Sequence, residues 1–289
     1  MTESGFLNIN KPPGLTSHDV VGRARRGLGI KKIGHAGTLD PLADGVLILC
    51  LGSATRLSEY VMASVKHYRA RVRLGIVTDT YDAEGRVVQE RDATAVQRED
   101  VERALPAFLG EITQIPPMYS AVKQGGRRLY ELARAGQEVE RAARQVWIEG
   151  LVITDWSPPL FTLEVTCSAG TYIRSLVYDL GEALGVGAFL AGLTRTASGV
   201  FTLEKSLPLE TLLALPGWRE RLISPQAALA DWPSIRLDAD QLEYIRHGRA
   251  IPAAETTAGD FAFAYAPGGD LVAAVQKDGS LWRPRKVFL

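Results

Sequence analysis

Residues 34–51 read GHAGTLDPLADGVLILCL, a glycine-rich loop followed by the longest apolar run of the chain. The run at 46–51 predicts a buried strand. The loop places one histidine and two aspartates among small residues, and Pro41 forces Asp40 into an extended conformation. Such a loop can present the Asp40 carboxylate at a cleft. The alternative is an ordinary turn, because Asp before Pro is a common turn initiator.

The segments around this stretch alternate irregularly between strand and helix patterns. Residues 67–75, HYRARVRLG, alternate strictly, which predicts a half-buried strand with a basic outer face. Residues 161–167 alternate in the same way, and Ser17 is expected to cap a helix that runs to the glycines at 27 and 29. Further helices are expected at 54–62, 97–108, 127–134 and 173–184. Because repeated βαβ units are missing, the pattern favours an α+β fold with a largely antiparallel mixed sheet flanked by helices.

The C-terminal part of the chain has a different pattern. A proline-punctuated region at 208–233 precedes short strands broken by the turn sequences APGGD and KDGS. This tail is expected to form a small β-barrel of about 55 to 60 residues, a size that is only marginally stable alone. We therefore expect it to pack on the main domain.

The composition is that of a folded, water-soluble chain of 289 residues, with 46% hydrophobic and 23% charged residues. These values argue against disordered, collagen-like and coiled-coil classes. The longest apolar run is far shorter than the ~20 residues that cross a bilayer, and the N-terminus does not resemble a secretory signal, so a cytoplasmic protein is expected. Cys50 and Cys167 are isolated, which argues against a disulfide framework and a cysteine-based zinc site.

The net charge is zero, with 33 basic and 33 acidic residues. The basic residues are nevertheless clustered, for example within 1–35 and 66–73. This clustering permits a face that binds a polyanion. Ordinary solvated surface is the alternative for each single stretch, because Lys and Arg are mostly exposed in any protein.

Three further residues are candidates for a site. Arg174 falls in the first turn of a predicted helix, where the macrodipole disfavours a cation, so a compensating carboxylate partner is expected. A guanidinium can hold a carboxylate in a bidentate contact and keep it ionised; an arginine that reaches solvent or another structural acid is the alternative. Tyr68 is either a core aromatic or a site residue. His35 is either a loop histidine or a metal ligand, and no second His or Cys has ligand spacing nearby, which disfavours a metal.

Several segments match one family in chain order. They are LNINKPPGLTSHDVV (7–21), KIGHAGTLDPLADGVLILCLGSATRL (32–57), KHYRARVRLGIVTDTYDAEG (66–85), IPPMYSAVKQGGRRLYELARAG (115–136) and CSAGTYIRSLVYDLGEALGVGAFLAGLTR (167–195). The chain resembles the bacterial TruB-type tRNA pseudouridine synthases, and its tail, ending in LWRPRKVFL, is weakly similar to the PUA-like domain of that family. The resemblance implies a pseudouridine synthase catalytic domain at 1–230 with an RNA-binding insertion at about 116–145, and a PUA-like RNA-binding domain at 231–289.

The resemblance also implies a role for individual residues. Asp40 would be the nucleophile, Arg174 its ion-pair partner, and Tyr68 the ring that stacks on the extracted uracil. The residues implied to bind substrate are His35, which would insert into the T-loop, Tyr172 and Leu193, which would line the pocket, and Lys11 with Asn10, which would support the nucleophile loop. The residues implied to contact the RNA backbone are Lys32, Lys123, Arg127 and Arg128. Thr194 departs from the family pattern, in which a basic residue is expected.

The activity implied by the resemblance is isomerisation of the uridine at position 55 of the tRNA T-loop, by base flipping, without metal or cofactor. The implied partner is the T-arm of tRNA; no membrane and no obligatory protein partner are expected, and the enzyme is expected to be a monomer. One alternative is a tRNA-binding or folding chaperone in which modification is incidental. Another is a synthase that depends on a guide RNA. Whether Asp40 attacks the ribose, attacks the base or assists elimination through a glycal stays open.

Overall fold

A computed structural model describes residues 3–120, 122–134, 136–137, 139–253 and 259–288. The helices are α1 (Ser17–Leu28), α2 (Ser58–Met62), α3 (Arg98–Ala104), α4 (Leu129–Arg134), α5 (Ile173–Ala183), α6 (Leu209–Ala214), α7 (Pro225–Ala228) and α8 (Ala239–Arg246). The first strands are β1 (Gly5–Lys11), β2 (Ile33–His35), β3 (Asp44–Leu51), β4 (Lys66–Leu74), β5 (Ile76–Thr78), β6 (Val87–Glu90), β7 (Gly110–Gln114), β8 (Lys123–Gln124) and β9 (Arg127–Arg128). The remaining strands are β10 (Arg144–Ser157), β11 (Leu160–Cys167), β12 (Ala188–Ser198), β13 (Phe201–Thr202), β14 (Leu207–Pro208), β15 (Ser234–Arg236), β16 (Ile251–Pro252), β17 (Phe261–Tyr265), β18 (Leu271–Asp278) and β19 (Leu281–Val287).

One large mixed sheet forms the centre of the fold, in the order β14-β1-β3-β12-β4-β11-β10-β7, with β2 paired to β3 and β13 to β12. Its pairs are antiparallel except β1 with β14 and β3 with β12. Strand β4 has the predicted alternation, with every second residue buried. The α+β fold with a largely antiparallel sheet is therefore confirmed.

The two faces of this sheet are covered by different parts of the chain. On β3, Leu47 and Leu49 belong to the apolar core under α1 and α5, whereas Val46 and Ile48 belong to a second core. The second core includes Phe263 of β17, so the C-terminal domain packs on the opposite face of the sheet. That domain is a five-stranded sheet in the order β15-β17-β18-β19-β16. The expected packing of the tail on the main domain is thus present.

Two local expectations were wrong. Thr16, rather than Ser17, is the N-cap of α1, because Thr16 has the extended backbone of a cap and exchanges side-chain hydrogen bonds with Asp19. The helix expected from residue 127 begins at Leu129, since Arg127 pairs in a short hairpin instead. The helical pattern at 54–62 is divided between a 3₁₀ turn and α2.

In the part of the chain that the structure describes, no helix is long and apolar enough to span a membrane.

Candidate active site

The loop between β2 and β3 carries Asp40, and the Lys11 side chain hydrogen-bonds to this loop. The Lys11 side chain is fully buried at the end of β1, and its Nζ donates to the carbonyls of Leu15 at 2.6 Å, Pro12 at 2.9 Å and Pro41 at 3.4 Å. Burial lowers the pKa of Lys11 to about 8. Asn10 pairs through its backbone with β3. Lys11 therefore links the NKPPG segment to the residue that follows Asp40.

Arg195 holds the same loop from β12. Its guanidinium is buried and donates to the carbonyl of Val46 at 2.7 Å, of Gly37 at 3.2 Å and of Thr38 at 3.4 Å. The backbones also approach closely: Gly45 has φ +95°, and a Cβ built there would lie 2.3 Å from the Arg195 carbonyl oxygen. Only glycine fits at this position. The loop that carries Asp40 is thus anchored at both ends.

Arg174 approaches Asp40 from the first turn of α5. Its Nε lies 2.9 Å from Asp40 Oδ2, and only 5% of the Arg174 side chain is exposed. The other nitrogens point elsewhere: Nη2 donates to the carbonyl of Tyr119 at 2.8 Å, and Nη1 lies 3.3 Å from Asp82 Oδ2. Arg174 therefore contacts Asp40 through Nε and bridges two carboxylates. Two acids compensate the cation at the helix N-terminus.

Asp82 is the second acid, and it is almost completely buried. Its Oδ1 accepts from Thr80 Oγ1 at 2.6 Å and from the backbone N–H of Glu84 at 3.1 Å. The preceding residue, Tyr81, has a backbone φ of +63°, which residues other than glycine rarely adopt. Its ring stacks on Tyr178 of α5 with a centroid distance of 4.1 Å. This stack holds the turn in the conformation that points Asp82 at Arg174.

Two cavities meet at Asp40. The larger, about 820 Å³, extends past His35, and the smaller, about 580 Å³, extends past Tyr68, Tyr172 and Leu193. The residues common to both are Thr38, Leu39, Asp40, Ser120 and Arg174. The Asp40 side chain is 36% exposed, so it is open to both cavities although protein surrounds it.

The smaller cavity has aromatic and aliphatic walls. Tyr68 and Leu193 project from β4 and β12 on the face that α5 covers. Tyr172 is held at the start of α5, where its backbone N–H donates to Gln114 Oε1 at 2.9 Å and Arg144 lies 5.2 Å from its ring centroid. Aromatic and aliphatic walls beside the Asp40–Arg174 pair can accommodate a flipped base.

The surroundings of Asp40 raise the pKa of its carboxyl group above the ordinary value. Burial raises the pKa of Asp40, the Arg174 guanidinium lowers it, and the negative charge of Asp82 raises it further. Burial also raises the pKa of the Tyr68 hydroxyl, which is therefore a neutral phenol. Among the described residues no group of three His, Cys, Asp or Glu side chains is arranged as a metal site.

Three family profiles match consecutive parts of the chain. The TruB family pseudouridylate synthase N-terminal domain matches residues 25–173. The C-terminal domain of tRNA pseudouridylate synthase B matches residues 174–230, and that of tRNA pseudouridine synthase II matches residues 232–289. The chain belongs to the TruB family of pseudouridylate synthases.

Individual relatives agree with this membership. The tRNA pseudouridine synthase B of Symbiobacterium thermophilum is 51% identical over 249 residues, which are 85% of this chain and 82% of that one. The enzyme of the same name from Dehalococcoides mccartyi is 45% identical over 99% of this chain and 97% of that one. This TruB-family chain is thus an enzyme, a pseudouridine synthase, and its reaction is an isomerisation.

Solved structures extend the likeness to the fold. The Cbf5 chain of a Cbf5-Nop10-Gar1 complex superposes with a TM-score of 0.79 at 28% identity, covering 99% of this chain and 85% of that one. An archaeal Nop10-Cbf5 complex gives a TM-score of 0.74 at 26% identity, covering all of this chain and 87% of that one. The TruB-family chain therefore has the pseudouridine synthase fold, with a C-terminal sheet of the PUA-like kind.

Of the other residues expected in the site, His35 lines the larger cavity at the end of β2, and burial lowers its pKa. Lys32 is exposed just before β2. Lys123 and Arg127 lie on the β8–β9 hairpin, where Arg127 is exposed; the side chains of Lys123 and Arg128 are outside the described part. The insertion at 116–145 likewise includes Ala121, Ala135 and Glu138, which lie outside the described residues.

Sequence reasoning missed two functional residues of this TruB-family chain, Asp82 and Arg195. Arg195 alternates with Leu193 on the inward face of β12, and a cation on an inward face is a signal that it has a buried role. Asp82 had a weaker signal, a turn-rich stretch between β5 and β6. Thr194, which departs from the family pattern, pairs with Arg69 and Asp44 on the opposite face.

Proposed function

We propose that this pseudouridine synthase isomerises the uridine at position 55 in the T-loop of tRNA. The observation that supports it most is the Asp40 carboxylate held 2.9 Å from Arg174 where a pocket walled by Tyr68, Tyr172 and Leu193 opens. Named relatives in the family act on tRNA. The uridine would leave its stack, at a cost of a few kcal/mol, and enter this pocket, where Tyr68 would stack on the uracil.

The reaction exchanges one bond for another without redox change. The bond between N1 of uracil and C1′ of ribose breaks, the base turns within the pocket, and a bond from C5 to C1′ forms. The C5 proton leaves to solvent and N1 takes up a proton, so the balance needs no further reactant. Asp40 would start the sequence in its ionised form, by attack on the ribose, attack on the base or assistance to glycal formation.

Arg174 would have two tasks in this scheme. By lowering the pKa of Asp40, it keeps a fraction of that carboxylate ionised in spite of burial. Through its contact with Asp82 it is itself held in place, so that the carboxylate keeps its direction toward the pocket. A positioned and charged nucleophile is then present before the uridine arrives.

The RNA would be held by basic side chains around the cavities. Lys32, Lys123, Arg127 and Arg128 are proposed to contact the backbone of the T-arm, and His35 to insert among the bases of the T-loop. We propose a catalytic domain at 1–230 and a PUA-like RNA-binding domain at 231–289. We also propose that the enzyme is cytoplasmic and works as a monomer without an obligatory protein partner.

The direct test uses the purified protein alone with an unmodified T-arm stem-loop that contains 5-tritiated uridine. Release of tritium to water, with pseudouridine found at the T-loop position, supports the proposal. Release only after addition of a guide RNA would favour the guided alternative. Binding of the stem-loop without release of tritium would favour the chaperone alternative.

A further inference from the structure

Helix α2 lies between the C-terminal domain and the smaller cavity. The ring of Tyr60, in the middle of α2, is surrounded by aromatic side chains of the C-terminal domain. Ring centroids of Trp232, Phe261 and Phe263 lie 6.1, 5.6 and 5.1 Å away. Aromatic pairs at such distances stabilise packing beyond the area that they bury. One side of α2 is thus fixed to the C-terminal domain.

Polar contacts from strand β19 reinforce this attachment. Lys286 Nζ lies 2.7 Å from Glu59 Oε1 and donates to the carbonyl of Arg56 at 2.8 Å. Arg56 in turn donates to the carbonyl of Val287 and lies 5.4 Å from the ring centroid of Phe288. The Lys286–Glu59 pair is partly exposed, so it adds little stability. Its effect is to set the position of α2.

The other side of α2 is a wall of the cavity. Glu59, Met62 and Ala63 line it together with Tyr68. Lys66, the first residue of β4, is almost fully buried, and its Nζ donates to the carbonyls of Met62 at 2.9 Å and Ser64 at 2.5 Å. The C-terminal end of α2 is thereby tied to the strand that carries Tyr68.

We propose that the C-terminal domain positions this wall of the nucleoside pocket through α2, with Lys286 and Lys66 as the positioning residues at the two ends of the connection. The inference rests on the proposed function, because it takes the smaller cavity as the place where the uracil turns. A loosened wall displaces Tyr68 and the turning base relative to Asp40, and small displacements slow a reacting step strongly. The domain then affects the rate of reaction as well as RNA binding.

The test compares Lys286→Met with Arg283→Met in the full-length protein. Both residues lie on β19 and both changes remove one exposed ion pair, but Arg283 pairs with Asp278 within the C-terminal domain and does not touch α2. Single-turnover rate constants are measured on the T-arm stem-loop at saturating enzyme, and the Kd of the same stem-loop is measured separately. We expect Lys286→Met to slow the reaction by about 3- to 10-fold with an unchanged Kd, and Arg283→Met to change neither.

Two further variants complete the test. Lys286→Arg keeps the charge at α2 and is expected to restore the rate, and Tyr60→Leu is expected to slow the reaction without changing the Kd. Equal rates in Lys286→Met and Arg283→Met would overturn the inference. A weaker Kd with an unchanged rate constant would also overturn it, because Lys286 would then be an RNA contact. If the unmodified enzyme itself releases no tritium, the proposed function fails, which is a different result.

Discussion

Arg174 Nη1 lies 3.3 Å from Asp82 Oδ2, and both side chains are about 95% buried or more. Removing one partner of such a pair leaves an uncompensated buried charge, which is strongly destabilising. The pair with Asp82 therefore fixes the position of Arg174 independently of the contact between Arg174 and Asp40. The carboxylate of Asp40 is the more exposed of the two acids, and it lines both cavities, whereas Asp82 lines the larger one.

Asp82→Asn is expected to move the acidic limb of the pH–rate profile to lower pH. The proposed reaction starts from ionised Asp40, and the negative charge of Asp82 raises the pKa of Asp40. Removing that charge lowers the pKa, so the ionised form persists further into acid. The overall rate is expected to fall because Arg174 loses a partner. Tritium release from pH 4 to 8, roughly the range over which such carboxylates titrate, measures the limb.

The matched control for that profile is Asp92→Asn, which removes an exposed carboxylate outside the two cavities. Its limb is expected to coincide with that of the unmodified enzyme. A limb that stays in place in Asp82→Asn, or moves to higher pH, would contradict the electrostatic coupling of the two acids.

Tyr68→Phe and Tyr68→Leu are expected to separate the ring from the hydroxyl. Burial keeps Tyr68 a neutral phenol, which in the proposed reaction stacks its ring on the uracil and uses its O–H group in proton transfer. Tyr68→Phe should keep the Kd of the stem-loop but lower the rate by about 10²-fold or more, because the hydroxyl is lost. Tyr68→Leu should lower the rate further and weaken the Kd. A full rate in Tyr68→Phe would leave stacking as the whole role.

Lys11→Met is expected to destabilise the fold by about 3 kcal/mol, because three carbonyls lose a charged donor. Urea unfolding measures the difference, and the exposed Lys32→Met serves as control, with little change expected. Tritium release should fall as well, since the loop that carries Asp40 loses its support. Equal unfolding midpoints for the two variants would count against the buried role of Lys11.

The stability difference between the unmodified protein and Lys11→Met should also depend on pH. The pKa of Lys11 is about 8 in the folded protein and near 10.5 when unfolded. Between these values the unfolded chain binds more protons, so this group makes the free energy of unfolding rise with pH. The difference should therefore grow as the pH is raised through this window. A difference that shrinks there would show that the pKa is not lowered.

The affinity for tRNA is expected to fall steeply with salt, because phosphate contacts release counterions. Replacing Lys32 and Arg127 together by Gln should reduce the slope of log Kd against log salt by about two. Arg103→Gln, which removes an exposed arginine paired with Asp100 on α3, should leave the slope unchanged. A flat titration of the unmodified protein would contradict an electrostatic RNA-binding face.

Periodicity predicted the parts of the fold that depend on local pattern. The alternation of β4 shows both its buried face and its basic face, and the apolar run after the Asp40 loop forms the central strand β3. Such features are visible in the sequence because neighbouring residues cause them. The position of Arg174 at a helix start indicated only that it needs a carboxylate partner, and the choice of Asp40 came from the resemblance to the TruB family.

Long-range pairing decided what could not be predicted. Asp82 reaches Arg174 because its segment bridges to Leu190, more than 100 residues away in the chain. Arg195 binds carbonyls of the Asp40 loop because β12 inserts between β3 and β4. Thr16 rather than Ser17 caps α1, since Ser17 Oγ is engaged by Leu39. In each case the deciding partner is distant in sequence.

Asp40→Asn tests the central claim most directly. The variant keeps the shape of the side chain, removes its charge and replaces one carboxylate oxygen by an NH2 group. It is incubated with the T-arm stem-loop that carries 5-tritiated uridine. The account predicts that the stem-loop still binds and that tritium release is lost. Tritium release at the unmodified rate would contradict it, because the ionised carboxylate beside Arg174 would then have no part in the reaction.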